Sequence, residues 1–215
     1  MQIYTKIPIF MAILLFIMTG CATFELQTNV KMTKSVFLKP VNNKTEKTIY
    51  ISLKNISQEN MDILPLLETK LTSKGYSIVN SAENAHYVLF INILFANNLR
   101  EANALKAATG LGITGGAIAA GSNSSTGDSL LIGAGIALAS GLVGKALEDE
   151  TYRAVVDVIV DEKSDQAVNS QSTMGNGYKE HKTRVLAEAV QTDLKLEQAL
   201  PILAEKVATQ IANIF

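Results

Sequence analysis

Between Lys106 and Lys145 lie 38 residues that carry a single charge, Asp128, and ten of the chain's 14 glycines. A stretch so apolar and so poor in large side chains must be hidden from water, which leaves few folds open to the chain. Residues 107–120 are apolar or small, 121–128 form a polar turn signal, and 130–144 are apolar again. This division predicts a helical hairpin over 107–144. With its flanking residues each arm reaches about 26 Å at 1.5 Å per residue, against a hydrocarbon core of about 30 Å that is thinner in the bacterial outer membrane. Gly112, Gly116 and Ala120 recur at every fourth position in the first arm, as do Gly133, Ala137 and Gly141 in the second. Small residues at that spacing share one helix face and let helices approach closely in lipid. The second arm, with Leu130, Leu131, Ile132, Ile136, Leu138, Leu142 and Val143, is the more lipid-facing of the two. Glycine in a helix interior costs about 1 kcal/mol relative to alanine, so the hairpin needs packing from other copies, and a homo-oligomeric ring is expected. Ser122, Asn123, Ser124, Ser125, Thr126, Gly127 and Asp128 form the tip, a candidate exposed determinant of specificity. A glycine-rich hairpin within a soluble core, or a linker, remains the alternative.

The N-terminus has the same apolar character on a shorter scale. One cation, Lys6, precedes the run from Ile7 to Met18, and Thr19-Gly20 precede Cys21. This is the pattern of a secretory signal over residues 1–20, too short to span a bilayer comfortably. Cys21 is the chain's one cysteine. It stands where a bacterial lipobox places the residue that is acylated and becomes the mature N-terminus. Several acyl chains on one residue anchor firmly, whereas one chain alone is marginal. Ala22 is not the Asp associated with inner-membrane retention, so the outer membrane is the expected destination. An ordinary signal peptide with an incidental cysteine is the bland alternative.

Composition removes other classes. One cysteine makes no internal disulfide and no multi-thiolate zinc site. A formal net charge of −1 over 215 residues argues against sequence-independent nucleic-acid binding. Gly110, Gly112 and Gly115 satisfy G-x-G-x-x-G, but no buried strand precedes them and no acidic residue follows in a βαβ unit. His86 and His181 have no partner at metal-ligand or catalytic spacing, and each reads as a surface or strand-edge residue. Glu148, Asp149 and Glu150 read as a solvated junction. No catalytic residue, metal site, cofactor, nucleic acid or small-molecule substrate is expected; the one attached group is the lipid on Cys21.

Two soluble flanks surround the apolar stretch. Leu26, Thr28, Val30 and Met32 alternate with polar residues, and Thr48–Lys54 does the same. Asn60–Lys74 has helical spacing, with Pro65 marking its start and Gly75 its end. Tyr76–Val79, Tyr87–Phe95, Tyr152–Val160 and Lys182–Leu194 read as strands, Asp165–Tyr178 as a mobile loop or turn, and Glu197–Ile214 as an amphipathic helix. Neither flank suffices for a core, so they are expected to share one sheet. The predicted fold is α+β: a mixed or antiparallel sheet with two amphipathic helices, interrupted by a Gly/Ala-rich membrane-inserting helical hairpin. In domain terms, 21–106 and 145–215 are the two parts of a periplasmic domain, and 107–144 is the hairpin.

Several short strings together carry a family resemblance. They are the lipobox, Ile51-Ser-Leu-Lys-Asn55, Lys74-Gly75-Tyr76, the Gly/Ala hairpin with Ser140-Gly-Leu-Val-Gly144, Glu148-Asp149 leading into Tyr152 and Val156-Asp157-Val158, His181-Lys-Thr-Arg-Val185, and Ile211-Ala-Asn-Ile214. In these the chain resembles the TraT complement resistance and surface exclusion lipoproteins, over essentially all of its mature length. The resemblance implies an outer-membrane lipoprotein that blocks redundant conjugative transfer without catalysis, and in some relatives protects against complement. It implies a periplasmic domain, a hairpin tip shown outside, and a donor-cell pilus or mating component as partner. The tip 122–128 and the loop 165–182 depart from the family pattern. A structural glycine-zipper envelope lipoprotein and an oligomeric secretion-channel component are the alternatives.

Overall fold

The computed structural model describes residues 25–41, 47–98, 149–164, 172–175 and 177–215. These form one six-stranded sheet of order β1-β6-β5-β4-β2-β3, bent into a half-barrel. The strands are β1 (Gln27–Met32), β2 (Thr48–Asn55), β3 (Ser77–Ile78), β4 (Tyr87–Asn98), β5 (Asp149–Lys163) and β6 (Tyr178–Thr192). β1, β6, β5 and β4 pair antiparallel in turn, whereas β2 runs parallel to both β4 and β3. The two parts of the sequence thus interleave: β5 and β6 from the second part lie between β1 and β4 from the first.

Two α-helices, α1 (Leu64–Ser73) and α2 (Leu196–Ala212), and one 3-10 turn at Ala82–Asn84 complete the described elements. Pro65 falls in the first turn of α1, where its missing N–H breaks no bond, and Gly75 ends the helix at φ +86°. Leu203, Val207 and Ile211 of α2 are fully buried against Ala154, Val156 and Val158 of β5 and Val185, Ala187 and Ala189 of β6. Alanines on β6 leave room for the helix to sit close to the sheet. Tyr76, Tyr87 and Phe215 close one end of this core edge to face, with centroid separations of 5.5–6.1 Å.

The expected fold class requires correction. The described residues are mostly β-sheet, and no helix among them is long and apolar enough to cross a membrane. The helical hairpin at 107–144, with its proposed packing residues, lies outside the described residues and gains no support as a membrane-spanning element. Local polarity misled the boundaries in a definite way. Asp149 and Glu150 are not a solvated junction: they begin β5, which runs 15 residues, and Asp149 is 5% exposed. β6 likewise begins at Tyr178 rather than Lys182. Cross-strand partners on β6 hold these charged residues in extended backbone, where alternation alone read a shorter strand. Tyr76–Val79 shrinks instead to the two residues of β3.

Candidate functional site

The helix-free face of the sheet carries a ladder of charge where β5 meets β6. Arg153 stands directly opposite Glu188, and Asp157 directly opposite Arg184. The Arg153 guanidinium donates from Nε to Glu188 Oε1 at 2.8 Å and from Nη2 to the same oxygen. Arg184 grips Asp157 bidentately, Nε to Oδ1 at 2.5 Å and Nη2 to Oδ2 at 2.8 Å. Between the two pairs lie Val155 and Leu186, capped by Phe95. Phe95 reaches that face because β4 shifts register between Ile93 and Phe95, which turns the strand after the bulge. Three of its four residues are nearly dry, with Arg153, Arg184 and Glu188 6%, 4% and 1% exposed, whereas the Asp157 side chain is 35% exposed. Among the described residues, four buried polar side-chain atoms have no partner: Asn92 Oδ1, Asp161 Oδ1, Arg184 Nη1 and Glu188 Oε2. Such orphans are uncommon in natively packed interiors.

Further along β5 and β6 a second polar group gathers. Glu162, 2% exposed, accepts the Lys39 N–H at 2.8 Å through Oε1 and meets His181 Nε2 at 3.0 Å through Oε2. This carboxylate ties residues 33–41, which run past β6 toward β4, to the sheet. Thr183 Oγ1 donating to the Lys34 carbonyl and Tyr87 Oη donating to the Lys39 carbonyl add two more ties. Asp161, on the opposite face, accepts from Met174 N at 2.8 Å and Ser172 Oγ at 3.1 Å. Burial pushes its carboxyl above the ordinary carboxylate range; the Met174 and Ser172 hydrogen bonds oppose that shift in part, and Glu180 adds to it. Tyr178 is pushed up as well, by burial first and then by the charges of Asp161 and Glu83.

The arrangement holds rather than reacts. The guanidiniums of Arg153 and Arg184 are engaged by the carboxylates of Glu188 and Asp157. Among the described residues no group of three or more His, Cys, Asp or Glu could hold a metal ion. A cleft of about 350 Å³ opens where β1 meets the end of α2, lined by Val30, Met32, Val36, Gln210, Asn213 and Ile214 among others.

The residues singled out from sequence fare unevenly. Cys21, Gly112, Gly116, Ala120, Gly133, Ala137, Gly141 and the tip Ser122–Asp128 all lie outside the described residues. His86 and His181 fall at the same end of the sheet, but His86 stacks edge to face on Tyr87 while His181 binds Glu162. The charge ladder went unread, although a signal exists. Arg153, Asp157 and Asp161 recur every fourth residue on one strand, and Glu180, Arg184 and Glu188 do so on the other. Such spacing puts each set on one face of its strand.

The likeness to known proteins runs through this whole sheet. The family model described as Enterobacterial TraT complement resistance protein matches residues 25–215. The chain belongs to the TraT family. A TraT complement resistance protein from Escherichia coli is 30% identical over 229 residues, covering 92% of each chain. Another from the same species is 31% identical over 238 residues, covering 92% of this chain and 93% of its own. Among solved structures, the PelC dodecamer from Paraburkholderia phytofirmans covers 83% of this chain and 95% of its own at 12% identity and a TM-score of 0.33. The TraT match spans both parts of the interleaved sheet, so the ladder on β5 and β6 lies wholly within it.

Proposed function

We propose that this TraT family chain is an outer-membrane lipoprotein, acylated at Cys21, that limits redundant conjugative transfer into the cell carrying it and gives protection against complement. The family match over 25–215 carries the reading. The one cysteine, placed after an apolar run and Thr19-Gly20, supports the anchor. The action is steric or by binding, with no turnover. Its partners in this reading are outer-membrane lipid, further copies of the chain and a donor-cell mating component. The polar segment Ser122–Asp128 is the part offered to the outside, with the sheet domain on the periplasmic side.

Mating assays test this. Recipients that carry the protein should receive fewer conjugative elements than recipients without it, and recipients with Cys21→Ser should lose that protection along with palmitate labelling. Equal transfer from every donor system tried would reject exclusion. Survival in serum, measured on the same strains, tests the complement arm separately.

A further inference from the structure

The register of the sheet sorts its connections to the rest of the chain. Gln27, which opens β1, pairs with Val190 of β6. Asp149, which opens β5, pairs with Thr192, and Asn98, which closes β4, pairs with Tyr152. The start of β1, the end of β4, the start of β5 and the end of β6 therefore share one end of the sheet. Glu162, His181, Tyr87 and Phe215 mark the other.

Covalent geometry then limits where this end can stand. Cys21 and Leu26 are five residues apart. Fully extended, each step reaches about 3.3–3.6 Å, so the tether spans at most about 18 Å. β5 is 15 residues long, and at about 3.3 Å per residue the sheet extends for roughly 45 Å along it. A tether so short relative to the sheet ties one end to the anchor and leaves the other free to stand away. The stretch 107–144, with its single charge, is attached at the same end, between Asn98 and Asp149.

We propose that the end of the sheet formed by Leu26, Asn98, Asp149 and Thr192 is the lipid-facing surface of the domain, held close over the leaflet that carries Cys21. This rests on the acylation of Cys21 proposed above. The surface is a stand-off contact and not an inserted one. Leu26 is its exposed apolar residue, at 37%, and the exposed carboxylates of Glu25 and Asp193 stand at the same end, with the exposed cation of Lys195. Carboxylates do not enter hydrocarbon. Beyond about 8–10 Å of salt solution they are screened from anionic headgroups, and the tether leaves room for that gap. The opposite end, with Glu162, His181 and Tyr178, projects away from the lipid.

Because acylation occupies the natural cysteine, an introduced one takes a thiol-reactive fluorophore alone. The full-length acylated protein is reconstituted in phospholipid vesicles that carry an acceptor dye on the headgroup. Glu197→Cys, in the first turn of α2 at the tethered end, is compared with Lys163→Cys at the far end of β5; both positions are exposed. Energy transfer from position 197 should exceed that from position 163 several-fold. Equal transfer means a domain lying flat, and reversed transfer means one standing on its other end; either result overturns the proposal. Flotation of each sample with the vesicles separates the two inferences. Protein that fails to float overturns the anchor and this surface with it, whereas protein that floats with equal transfer overturns the surface alone.

Discussion

At the scale of single residues, the ladder on β5 and β6 exposes how costly an internal charge becomes when its partner leaves. Arg153 and Glu188 have side chains 7% and 2% exposed. Removing one of a buried pair strands the other, at a typical cost of about 3–5 kcal/mol, whereas replacing both with apolar residues of similar volume is often neutral. Arg153→Met alone should therefore destabilise strongly in urea unfolding, and Arg153→Met combined with Glu188→Leu should recover most of the loss. A double variant as unstable as the single one would mean that the pair binds something beyond itself. Asp161 offers a second measurement, through pH. Its folded pKa lies above its unfolded value because burial disfavours the charged form. The folded state then holds the proton more tightly, so its contribution to stability is complete below the unfolded value, about 3.9. That contribution is lost as pH rises through the higher folded value. Asp161→Asn keeps an acceptor for the Met174 N–H and cannot ionise. Its melting temperature should fall less than that of the parent between pH 4 and pH 7, and parallel curves would refute the assignment.

Among the elements, α1 and its cap follow most directly from local chemistry. Gly75 sits at φ +86° with nothing within 4 Å of where a Cβ would lie. The cost of Gly75→Ala is then conformational alone, about 1–2 kcal/mol for an L-residue in the left-handed region, and urea unfolding should show that loss with an unchanged m-value. This cap, the Pro65 start, α2 and the central residues of β1, β2, β4 and β5 were legible in the sequence, because each is written in neighbouring residues: a turn glycine, a helical period, a strict alternation. What was not legible depends on partners distant in the chain. Asp149 and Glu150 look like water-loving junction residues until Thr192 and Gln191 are placed opposite them. Lys179–His181 reads as loop until Glu162 and Asp161 pair with it. Arg153 and Arg184 look like ordinary outward charges on half-exposed strands until Glu188 and Asp157 are placed opposite them, with Phe95 packed on Val155 and Leu186 between the two pairs. The hairpin reading was drawn from apolar composition, a polar turn and small residues at every fourth position, and a six-stranded sheet with two α-helices is what the described residues build.

For the whole molecule, the interleaving of β1, β2 and β4 with β5 and β6 means that neither part of the chain can complete the sheet alone. Residues 99–148 nonetheless join strands that are already neighbours. β4 and β5 run antiparallel, Asn98 lies opposite Tyr152, and Asp149 extends the strand only three residues further. Antiparallel neighbours are ordinarily closed by about two to five residues, and about six extended residues span roughly 20 Å, enough to cover the overhang. A chain in which a six-residue Gly/Asn/Ser linker replaces 99–148 should therefore fold, with the core of α1, α2 and the sheet intact and a single cooperative unfolding transition. In mating assays the same variant, still acylated at Cys21, should give no exclusion if the segment it lacks makes the contact with the donor. Loss of the cooperative transition would show that the sheet needs 99–148 for its stability. A folded, acylated variant that still excluded donors would move recognition out of that segment and onto the sheet domain.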